Sequence, residues 1–258
     1  MFSPFYQGYL KDEILDFPLF NKINKEVREG ELVLNKEDLD YIISQYDGEI
    51  RYCDRHLGEL LKRIERLGLD SDTIIILTAD HGEDLMEHGT ISHDDVYDVG
   101  IHIPLIFRYP RLIKKNKRIN TPVRSIDILP TILDILRLPL KQGMEGSSLL
   151  PLLLGKDDKK ERLIFSVAGF KKENFKLSLR TKDWKLFFTP NGNRYELFNL
   201  KNDPKELKNL VNVEKEHFKV LKMKMEEYLS LHKLNSAYLS KPLDEDIKRS
   251  LKSLGYLQ

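Results

Sequence analysis

The sequence predicts an α/β unit followed by a smaller antiparallel sheet that a C-terminal helix covers. In the first part, apolar residues recur every three or four positions from Leu39 to Leu67, and the apolar run Ile74–Leu77 follows after a short turn. This order is typical of a long amphipathic helix followed by a strand. The second part has four short stretches of strand character, separated by turn residues and followed by a helical pattern over residues 213–233. The four stretches are Arg162–Ala168, Phe175–Thr181, Trp184–Thr189 and Arg194–Leu200.

The long helix of the first unit has recognisable ends. Asn35 precedes it and is a good N-cap residue, because its side chain can accept hydrogen bonds from the first helical N–H groups. Gly68 follows it and is well suited to stop a helix. The strand predicted over Thr73–Ala79 then runs directly into Asp80-His81-Gly82.

Three further segments complete the first unit. Residues 2–36 mix prolines and a glycine without a dominant period, which predicts a lead-in segment lying on a larger body. Ile103–Phe107 is predicted to be a second buried strand, and Ser125–Leu138 a second helix in which Pro130 lies near the first turn. A stretch rich in glycine, proline and charge then breaks the pattern. We therefore predict a first unit over residues 1–155 and a second over 156–258.

Composition excludes several classes of function. The 258 residues carry 42 basic and 41 acidic side chains, a net charge of +1, which gives no general attraction to nucleic acid or to an anionic membrane. No apolar run approaches the ~20 residues of a membrane span, and the first residues have no signal-peptide pattern. The single cysteine, Cys53, excludes an internal disulfide and is predicted to lie in the core, on the apolar stripe of the long helix. The cellular compartment stays undetermined.

A dense polar cluster follows the first predicted strand. It contains Asp80, His81, His88 and His93, and ligands of open α/β sheets bind beyond the carboxyl ends of the strands. Carboxylate and imidazole groups both bind divalent cations, and histidine transfers protons near neutral pH. From the residues alone, two interpretations stay open. One is a metal-centred active site; the other is a polar loop in which Asp80 caps a turn and the histidines are surface residues.

Several motifs resemble the sulfatase family, of the alkaline-phosphatase superfamily. They are LTADHGEDLMEHG followed by SHDDVYDVGIHIPLIFRYP, then VRSIDILPTILDILRLP, GMEGSSLLPLLLG, and YELFNL before NDP. The resemblance covers nearly the whole chain, in the family's order. It implies that the first unit is part of an alkaline-phosphatase-like, helix-covered sheet, and that the chemistry is the hydrolysis of sulfuric esters.

The resemblance also implies roles for single residues. Asp80 and His81 match a pair that binds a catalytic divalent metal, with calcium as the first expectation and manganese or zinc as alternatives. His93 falls where the family has Lys or His contacting the substrate anion and assisting the leaving group, so it is the expected catalytic residue. His88 matches a recurring family histidine and is expected to bind substrate, with a structural role as the alternative. Because many sulfatases have Asn where this chain has His81, phosphonate and phosphate ester hydrolysis stays open.

The family's nucleophile motif, Cys-x-Pro-x-Arg, does not occur in the sequence. The resemblance therefore implies the C-terminal portion of a sulfatase, with the formylglycine and further metal ligands in a missing N-terminal half. The expected partners are that half and a sulfate-, phosphate- or phosphonate-ester small molecule or a sulfated glycan; nucleic acid and membrane are not expected. We expect this chain to be inactive alone. A noncatalytic partner or remnant that kept the fold is the third hypothesis.

Overall fold

The computed structural model describes residues 17–156, 161–169, 175–232 and 249. The chain divides into two compact units: residues 1–164 with Lys205–Leu207, and residues 165–204 with those from Lys208 onward. Within the described residues, no helix has both the length and the apolar character that crossing a bilayer requires.

Helix α2, Lys36–Arg66, begins and ends as the sequence predicts. The Asn35 side chain accepts a hydrogen bond from the Asp38 backbone N–H at 2.9 Å, and the Asp38 carboxylate accepts one from the Asn35 N–H at 3.2 Å. This reciprocal capping box satisfies two backbone donors at the helix start. Gly68 has a φ of +69°, a left-handed conformation that glycine adopts without steric cost and that ends the helix.

Helix α1, Phe17–Glu29, is an element of the lead-in segment that the sequence analysis did not predict. Pro18 is the second residue of α1, and Gly30, with a φ of +74°, lies just past its end. Proline in the first turn and glycine after the last turn favour a helix, whereas the same residues in its interior would break it. In the sequence the two residues suggested interruptions, because the helix ends were unknown and Pro18 and Gly30 could not be placed relative to them. Residues 2–16 of that segment lie outside the described part of the chain.

The two helices share a core with a short hairpin. The hairpin consists of β2, Asp84–Leu85, paired antiparallel with β3, Ile91–Ser92. Three isoleucines, each at most 1% exposed, form the centre of this core: Ile23 of α1, Ile42 of α2 and Ile91 of β3. We call them and the residues packed around them the isoleucine cluster. The partly buried residues around them are Leu19, Phe20, Val27, Leu32, Leu34, Tyr41, Leu85 and Met86. This apolar cluster fixes the hairpin against both helices.

Strand β1, Ile75–Thr78, pairs antiparallel with β4, Leu105–Arg108, so that Thr78 lies opposite Leu105. The short helix α3, Asp98–Ile101, precedes β4. Both predicted strands are confirmed, but the prediction that they are buried is wrong. Side chains of β1 are partly exposed and Ile106 of β4 is exposed, because among the described residues this sheet has only two strands.

Beyond its first turns, α2 exposes its apolar stripe. Tyr46 is 40% exposed and Leu67 63%, with Ile50 and Leu60 between them; we call these four residues the apolar face of α2. Cys53 is exposed as well, so the prediction of a core cysteine is wrong. The periodic apolar residues correctly predict a helix with one apolar side. In the described part of the chain, however, only the N-terminal turns of α2 pack against the isoleucine cluster.

The second predicted helix is confirmed as a 3₁₀ turn, Ser125–Asp127, leading into α4, Ile128–Ile135. Asp127 is fully buried and accepts hydrogen bonds from the backbone N–H groups of Arg124 and Ser147 at 3.0 and 2.9 Å. Its carboxylate also lies 3.5 Å from the guanidinium of Arg162. A buried carboxylate needs such partners to offset its desolvation. Asp127 thereby fixes the chain that leads to the short helix α5, Leu150–Leu153.

The second unit contains a four-stranded sheet, which confirms all four predicted strands. Its strands follow one another in chain order: β5 Ile164–Ala168, β6 Lys176–Arg180, β7 Trp184–Thr189 and β8 Arg194–Asn199. The turn residues predicted between the third and fourth strands do form a turn, at residues 189–193: Thr189 pairs with Arg194, and the Asn193 N–H donates to the Pro190 carbonyl at 3.0 Å. Leu221 and Met225 of the following helix are buried, as the predicted apolar face requires. That helix is α6, Lys215–Leu231.

We expect Ile42→Ala to lower the free energy of unfolding by about 2–4 kcal/mol, because it removes a buried side chain and leaves a cavity in the isoleucine cluster. Ile50→Ala is the matched control: it lies on the same helix but is 54% exposed, so it should change stability by less than about 0.5 kcal/mol. Urea denaturation followed by circular dichroism measures both. Equal losses for the two variants would show that the cluster does not stabilise α2.

Candidate functional site

Asp80 and His81 follow the end of β1 and lie side by side. The His81 N–H donates a hydrogen bond to Asp80 Oδ1 at 3.0 Å, and His81 Nε2 lies 3.7 Å from Asp80 Oδ2. The side chain of Asp80 is 70% exposed and that of His81 32%. A carboxylate oxygen and an imidazole nitrogen therefore face each other at an open edge of the sheet.

The backbone of Gly82 sets the tautomer of His81. His81 Nδ1 lies 2.9 Å from the Gly82 carbonyl oxygen, and a carbonyl can only accept, so Nδ1 carries the proton. In the neutral ring, Nε2 then holds the lone pair, and Nε2 is the nitrogen that faces Asp80. Metal-binding histidines are commonly oriented by such a hydrogen bond from the second ring nitrogen.

Gly82 is required by a close backbone contact rather than by an unusual turn. Its N–H donates to the Gly100 carbonyl of α3 at 2.7 Å, and a Cβ placed on Gly82 would lie only 2.2 Å from the Val99 carbonyl oxygen. Gly82 is not among the residues with positive φ, so a left-handed backbone does not explain the glycine. The contact fixes the backbone immediately after the Asp80–His81 pair against α3.

The β2–β3 hairpin brings His93 back to His81. The chain reverses between the two strands through Met86 and Gly89, whose φ angles are +76° and +79°, and the Met86 N–H donates to the Thr90 carbonyl at 2.8 Å. His93 follows β3 directly, and its ring stacks on that of His81 with the centroids 4.0 Å apart and an angle of 22° between the planes. The predicted proximity of His93 to the Asp80–His81 pair is therefore present in the structure.

Glu83 is the partner of His93, and sequence reasoning missed it. His93 Nδ1 donates to Glu83 Oε2 at 3.2 Å. The hydrogen bond to this carboxylate raises the pKa of His93 above its ordinary value of 6.5, against the opposing effect of burial. Alternation could have identified Glu83: residues two apart in extended chain point to the same side, and Glu83 is two residues after His81.

His81, Glu83 and His93 together form a potential metal-binding group. Each offers one ligand atom, and these atoms lie within 4.8 Å of one another. Glu83 Oε1 is buried and has no hydrogen-bond partner in the described part of the chain, so this oxygen keeps its acceptor capacity. Imidazole and carboxylate ligands suit a divalent cation, and His81 with the carboxylates of Asp80 and Glu83 beside it therefore fits such an ion.

His88 occupies a different environment from the other two histidines. Its Nε2 lies 3.0 Å from the Lys205 carbonyl oxygen and its Nδ1 3.3 Å from Asp84 Oδ2, while its ring stacks on Tyr97 at 3.7 Å. The side chain is 8% exposed. Both nitrogens of His88 thus face protein atoms, which is the arrangement of a structural histidine. A contact with substrate stays a prediction.

The Asp84–His88 pair has opposite pKa shifts. Burial alone would lower the pKa of His88, but hydrogen bonds to Asp84 and to the Lys205 carbonyl outweigh it and raise the pKa above 6.5. Burial alone would raise the pKa of Asp84, but hydrogen bonds from the side chain and the N–H of His88 lower it below 3.8. Both shifts favour the charged forms, so the pair acts as a buried ion pair over the neutral range.

Arg28 of α1 secures the chain on both sides of His93. Its guanidinium donates to Ser92 Oγ at 2.6 Å and to Asp94 Oδ2 at 2.9 Å. Burial would raise the pKa of Asp94, but the Arg28 charge and hydrogen bond lower it below 3.8. His93 is thus held between two anchored neighbours.

Comparison with known families gives two matches. Residues 14–138 match the family model described as Sulfatase, and residues 86–235 match that described as N-sulphoglucosamine sulphohydrolase, C-terminal. Arylsulfatase K of Canis lupus familiaris is 35% identical over 185 residues, which are 68% of this chain and 34% of that protein. The chain therefore spans about a third of the length of this relative.

Two solved structures are similar in fold and sequence. A protein in complex with its substrate D-glucosamine-2-N,6-O-disulfate is 26% identical with a TM-score of 0.68, over 84% of this chain and 47% of that one. The phosphonate monoester hydrolase of Agrobacterium radiobacter is also 26% identical with a TM-score of 0.68, over 78% of this chain and 43% of that one. The chain spans less than half of each.

We expect Gly82→Ala to lower the free energy of unfolding by about 1–3 kcal/mol, because the new methyl group must displace the backbone of α3. Gly58→Ala is the matched control. Gly58 lies within α2 with open space around it, so alanine there should stabilise the helix by about 0.5–1 kcal/mol. Urea denaturation measures both changes. A Gly82→Ala variant as stable as Gly58→Ala would contradict the close contact.

The Asp84–His88 pair should make stability depend on pH in a defined direction. His88 has a folded pKa above 6.5, so its contribution is complete below that value and is lost as the pH rises through the raised pKa. Asp84 has a folded pKa below 3.8, so its contribution is present above that value and is lost as the pH falls through the lowered pKa. The stability advantage of wild type over His88→Gln should therefore be largest between these limits and shrink at alkaline pH.

Denaturation curves of both proteins across this pH range give the difference directly, because other titrating groups contribute to both. His217→Gln is the control, since His217 is an exposed residue that pairs with Glu214 at 3.2 Å, and its replacement should change stability by less than about 0.5 kcal/mol. An advantage over His88→Gln that is the same at neutral and alkaline pH would mean that His88 is not charged in the folded state.

Proposed function

Because this chain belongs to the sulfatase family of the alkaline-phosphatase superfamily, we propose that it forms the C-terminal part of a metal-dependent sulfuric ester hydrolase. The observation that supports the proposal is the stacking of His93 on His81 beside Asp80. Three side chains that resemble the family's metal ligands and leaving-group residue thereby share one exposed edge. A hydrolase of this class needs a cation and a proton donor within reach of one anion.

Asp80 and His81 are the residues that would hold the cation. The hydrogen bond from Nδ1 to Gly82 leaves Nε2 of His81 as the ligating atom, next to Asp80 Oδ2. When bound, a divalent cation acts as a Lewis acid and as a template for the sulfate oxygens. Calcium is the first expectation, and manganese and zinc are the alternatives; the carboxylate of Asp80 suits calcium or manganese, and the imidazole of His81 suits zinc. Since such cations take more ligands than two, we propose that the others come from the N-terminal half.

His93 is proposed as the general acid. Its hydrogen bond to Glu83 keeps the ring protonated to a higher pH than an ordinary histidine. With Nδ1 engaged by Glu83, Nε2–H is the group that can contact the substrate anion and donate its proton to the departing alkoxide or phenoxide. Such a donor typically contributes about 10²–10⁴ in rate, which helps but does not replace a nucleophile.

Glu83 and His88 are proposed as supporting residues. Glu83 orients and charges His93 and offers a second buried oxygen at the site. His88, which the family resemblance suggested as a substrate contact, is proposed instead to hold the hairpin. Its two nitrogens face Asp84 and the Lys205 carbonyl, and a substrate oxygen would have to displace one of them.

The proposed substrates are sulfate esters, among them sulfated glycans. The similar protein solved with D-glucosamine-2-N,6-O-disulfate supports a sulfated sugar. The similarity to a phosphonate monoester hydrolase, together with histidine at position 81, supports phosphonate or phosphate esters as the second candidate. Paired assays of an aryl sulfate and an aryl phosphonate with calcium, manganese or zinc would distinguish the two.

The apolar face of α2 is proposed to contact the N-terminal half. It presents Tyr46, Ile50, Leu60 and Leu67 to solvent, and large contiguous apolar patches usually mark contact surfaces. The chain lacks Cys-x-Pro-x-Arg and spans 34% of arylsulfatase K. The nucleophile, a formylglycine in this family resemblance, is therefore expected to come from that half.

We expect the chain alone to show no turnover of aryl sulfates, because nothing in the described site can attack sulfur. Loss of a catalytic nucleophile can cost on the order of 10⁶ in turnover. Co-expression with a matching half that carries Cys-x-Pro-x-Arg should restore activity, and Asp80→Ala should then abolish it. Release of 4-nitrophenol from its sulfate ester measures each preparation.

Asp40→Ala is the control for that substitution. Asp40 is an exposed aspartate that pairs with Lys36 on α2 and should leave turnover unchanged. Metal-dependent turnover by the purified chain alone would contradict the proposal, because it would require a nucleophile among its own residues. Failure of every co-expressed half to restore activity would favour a noncatalytic partner.

A further inference from the structure

A tripeptide far along the chain contributes to the first unit. Lys205–Leu207 belongs to that unit although the residues on either side do not. The Asp203 carboxylate accepts a hydrogen bond from the Lys208 N–H at 2.8 Å, which closes a short loop with the tripeptide at its crest. The loop lies in the sequence stretch after YELFNL, to which the proposed function assigns no role.

Glu206, at the centre of the tripeptide, has an unfavourable backbone conformation. Its φ is +55°, in the left-handed region that non-glycine residues rarely adopt. It is also only 3% exposed. Such conformations persist where the surrounding contacts impose them, and they concentrate at functional sites. The contact in this case is a 2.6 Å hydrogen bond that Glu206 Oε2 accepts from the Asp98 N–H.

That hydrogen bond supplies a cap that α3 does not make for itself. Asp98 is the first residue of α3, and the preceding Tyr97 forms no capping hydrogen bond with its side chain. Early N–H groups of a helix have no partner within the helix and need an acceptor from elsewhere. Glu206 provides one with a charged oxygen, the stronger kind of acceptor.

Helix α3 in turn supports the metal-binding end of β1. The Gly100 carbonyl accepts from the Gly82 N–H at 2.7 Å, and Gly82 follows His81 directly. A second connection runs through the neighbouring residue of the tripeptide, because the Lys205 carbonyl accepts from His88 Nε2 at 3.0 Å and His88 stacks on Tyr97. The tripeptide therefore holds both α3 and the hairpin that leads to His93.

We propose that Glu206 is a positioning residue for the Asp80–His81 pair, acting through α3 and Gly82. Its proposed role is to fix the backbone that presents the two ligands, through its hydrogen bond to the Asp98 N–H. That this backbone belongs to a catalytic site rests on the proposed function, but the positioning itself is a property of the chain and can be tested without activity.

Hydrogen exchange with mass spectrometry on the full chain provides the test. Glu206→Gly removes the acceptor and relieves the left-handed backbone, so it does not penalise folding. Glu206→Gln keeps an oxygen that can accept from Asp98. Arg137→Gly is the control for the backbone change, since Arg137 also has a left-handed φ, +56°, but is exposed. Peptides covering residues 80–86 and 97–102 report the site, and peptides covering residues 36–45, at the start of α2, report the overall stability of the first unit.

We expect Glu206→Gly to exchange roughly tenfold or more faster in the two site peptides, as loss of a hydrogen bond to a charged group should allow. Glu206→Gln should stay within about threefold of wild type, Arg137→Gly should match wild type, and the peptides at the start of α2 should be unaffected in all three variants. Three outcomes would each overturn the proposal: site peptides of Glu206→Gly at the wild-type rate, equal acceleration in Glu206→Gln, or loss of protection at the start of α2 as well.

Activity of the co-expressed enzyme is a separate measurement. There, Glu206→Gly should lower kcat while Glu206→Gln retains it. If exchange changes as expected while the wild-type assembly hydrolyses neither sulfate nor phosphonate esters, the proposed function fails and the positioning role stands. If the assembly is active and Glu206→Gly alters neither exchange nor kcat, the positioning role fails and the proposed function stands.

Discussion

The burial of Ile91 between α1 and α2 is the interaction on which the candidate site depends. The β2–β3 hairpin has only two residues in each strand, and so small a hairpin is not stable without packing against other elements. Its apolar contact is Ile91, fully buried with Ile23 and Ile42. His93 comes two residues later in the chain. The position of an expected catalytic side chain is therefore set by apolar packing on the opposite side of the hairpin.

A polar hairpin of this kind also needs balanced charges. Three carboxylates in and beside it have cationic or imidazole partners: Asp84 with His88, Glu83 with His93, and Asp94 with Arg28. Unpaired buried carboxylates would be strongly destabilising. The ion pairs also distinguish the environments of His88 and His93. His88, 8% exposed, is enclosed by its partners, whereas His93, 34% exposed, keeps one nitrogen directed away from Glu83.

Local sequence signals predicted the elements that depend on local physics. The N-cap at Asn35, the long period of α2 and the turn residues at 189–193 all involve neighbours in sequence, and the structure confirms them. Helix α1 was missed because Pro18 and Gly30 suggested interruption while they lie at its two ends. The exposure of Cys53 and the α2 stripe could not be predicted, because periodicity shows which side of a helix is apolar and not whether anything covers it.

In the candidate site, too, some features could be predicted from the sequence and others depend on tertiary contacts. The Asp80–His81 pair and its proximity to His93 follow from the end of a strand and from a family resemblance. The partners that give these residues their chemistry come from tertiary contacts: the Gly82 contact with α3, and Lys205 and Glu206 from more than a hundred residues away in the chain. Glu83 is the exception, since its spacing from His81 was available in the sequence.

Exposure of Cys53 has a practical consequence. It is the only thiol in the sequence and lies on α2 among the turns that carry the exposed apolar residues. A maleimide reagent therefore modifies one defined position on this helix without any engineered residue. The rate of that modification gives a chemical footprint of the helix surface, read by intact mass, and it reports whether a bound protein shields that surface even when no enzymatic assay exists.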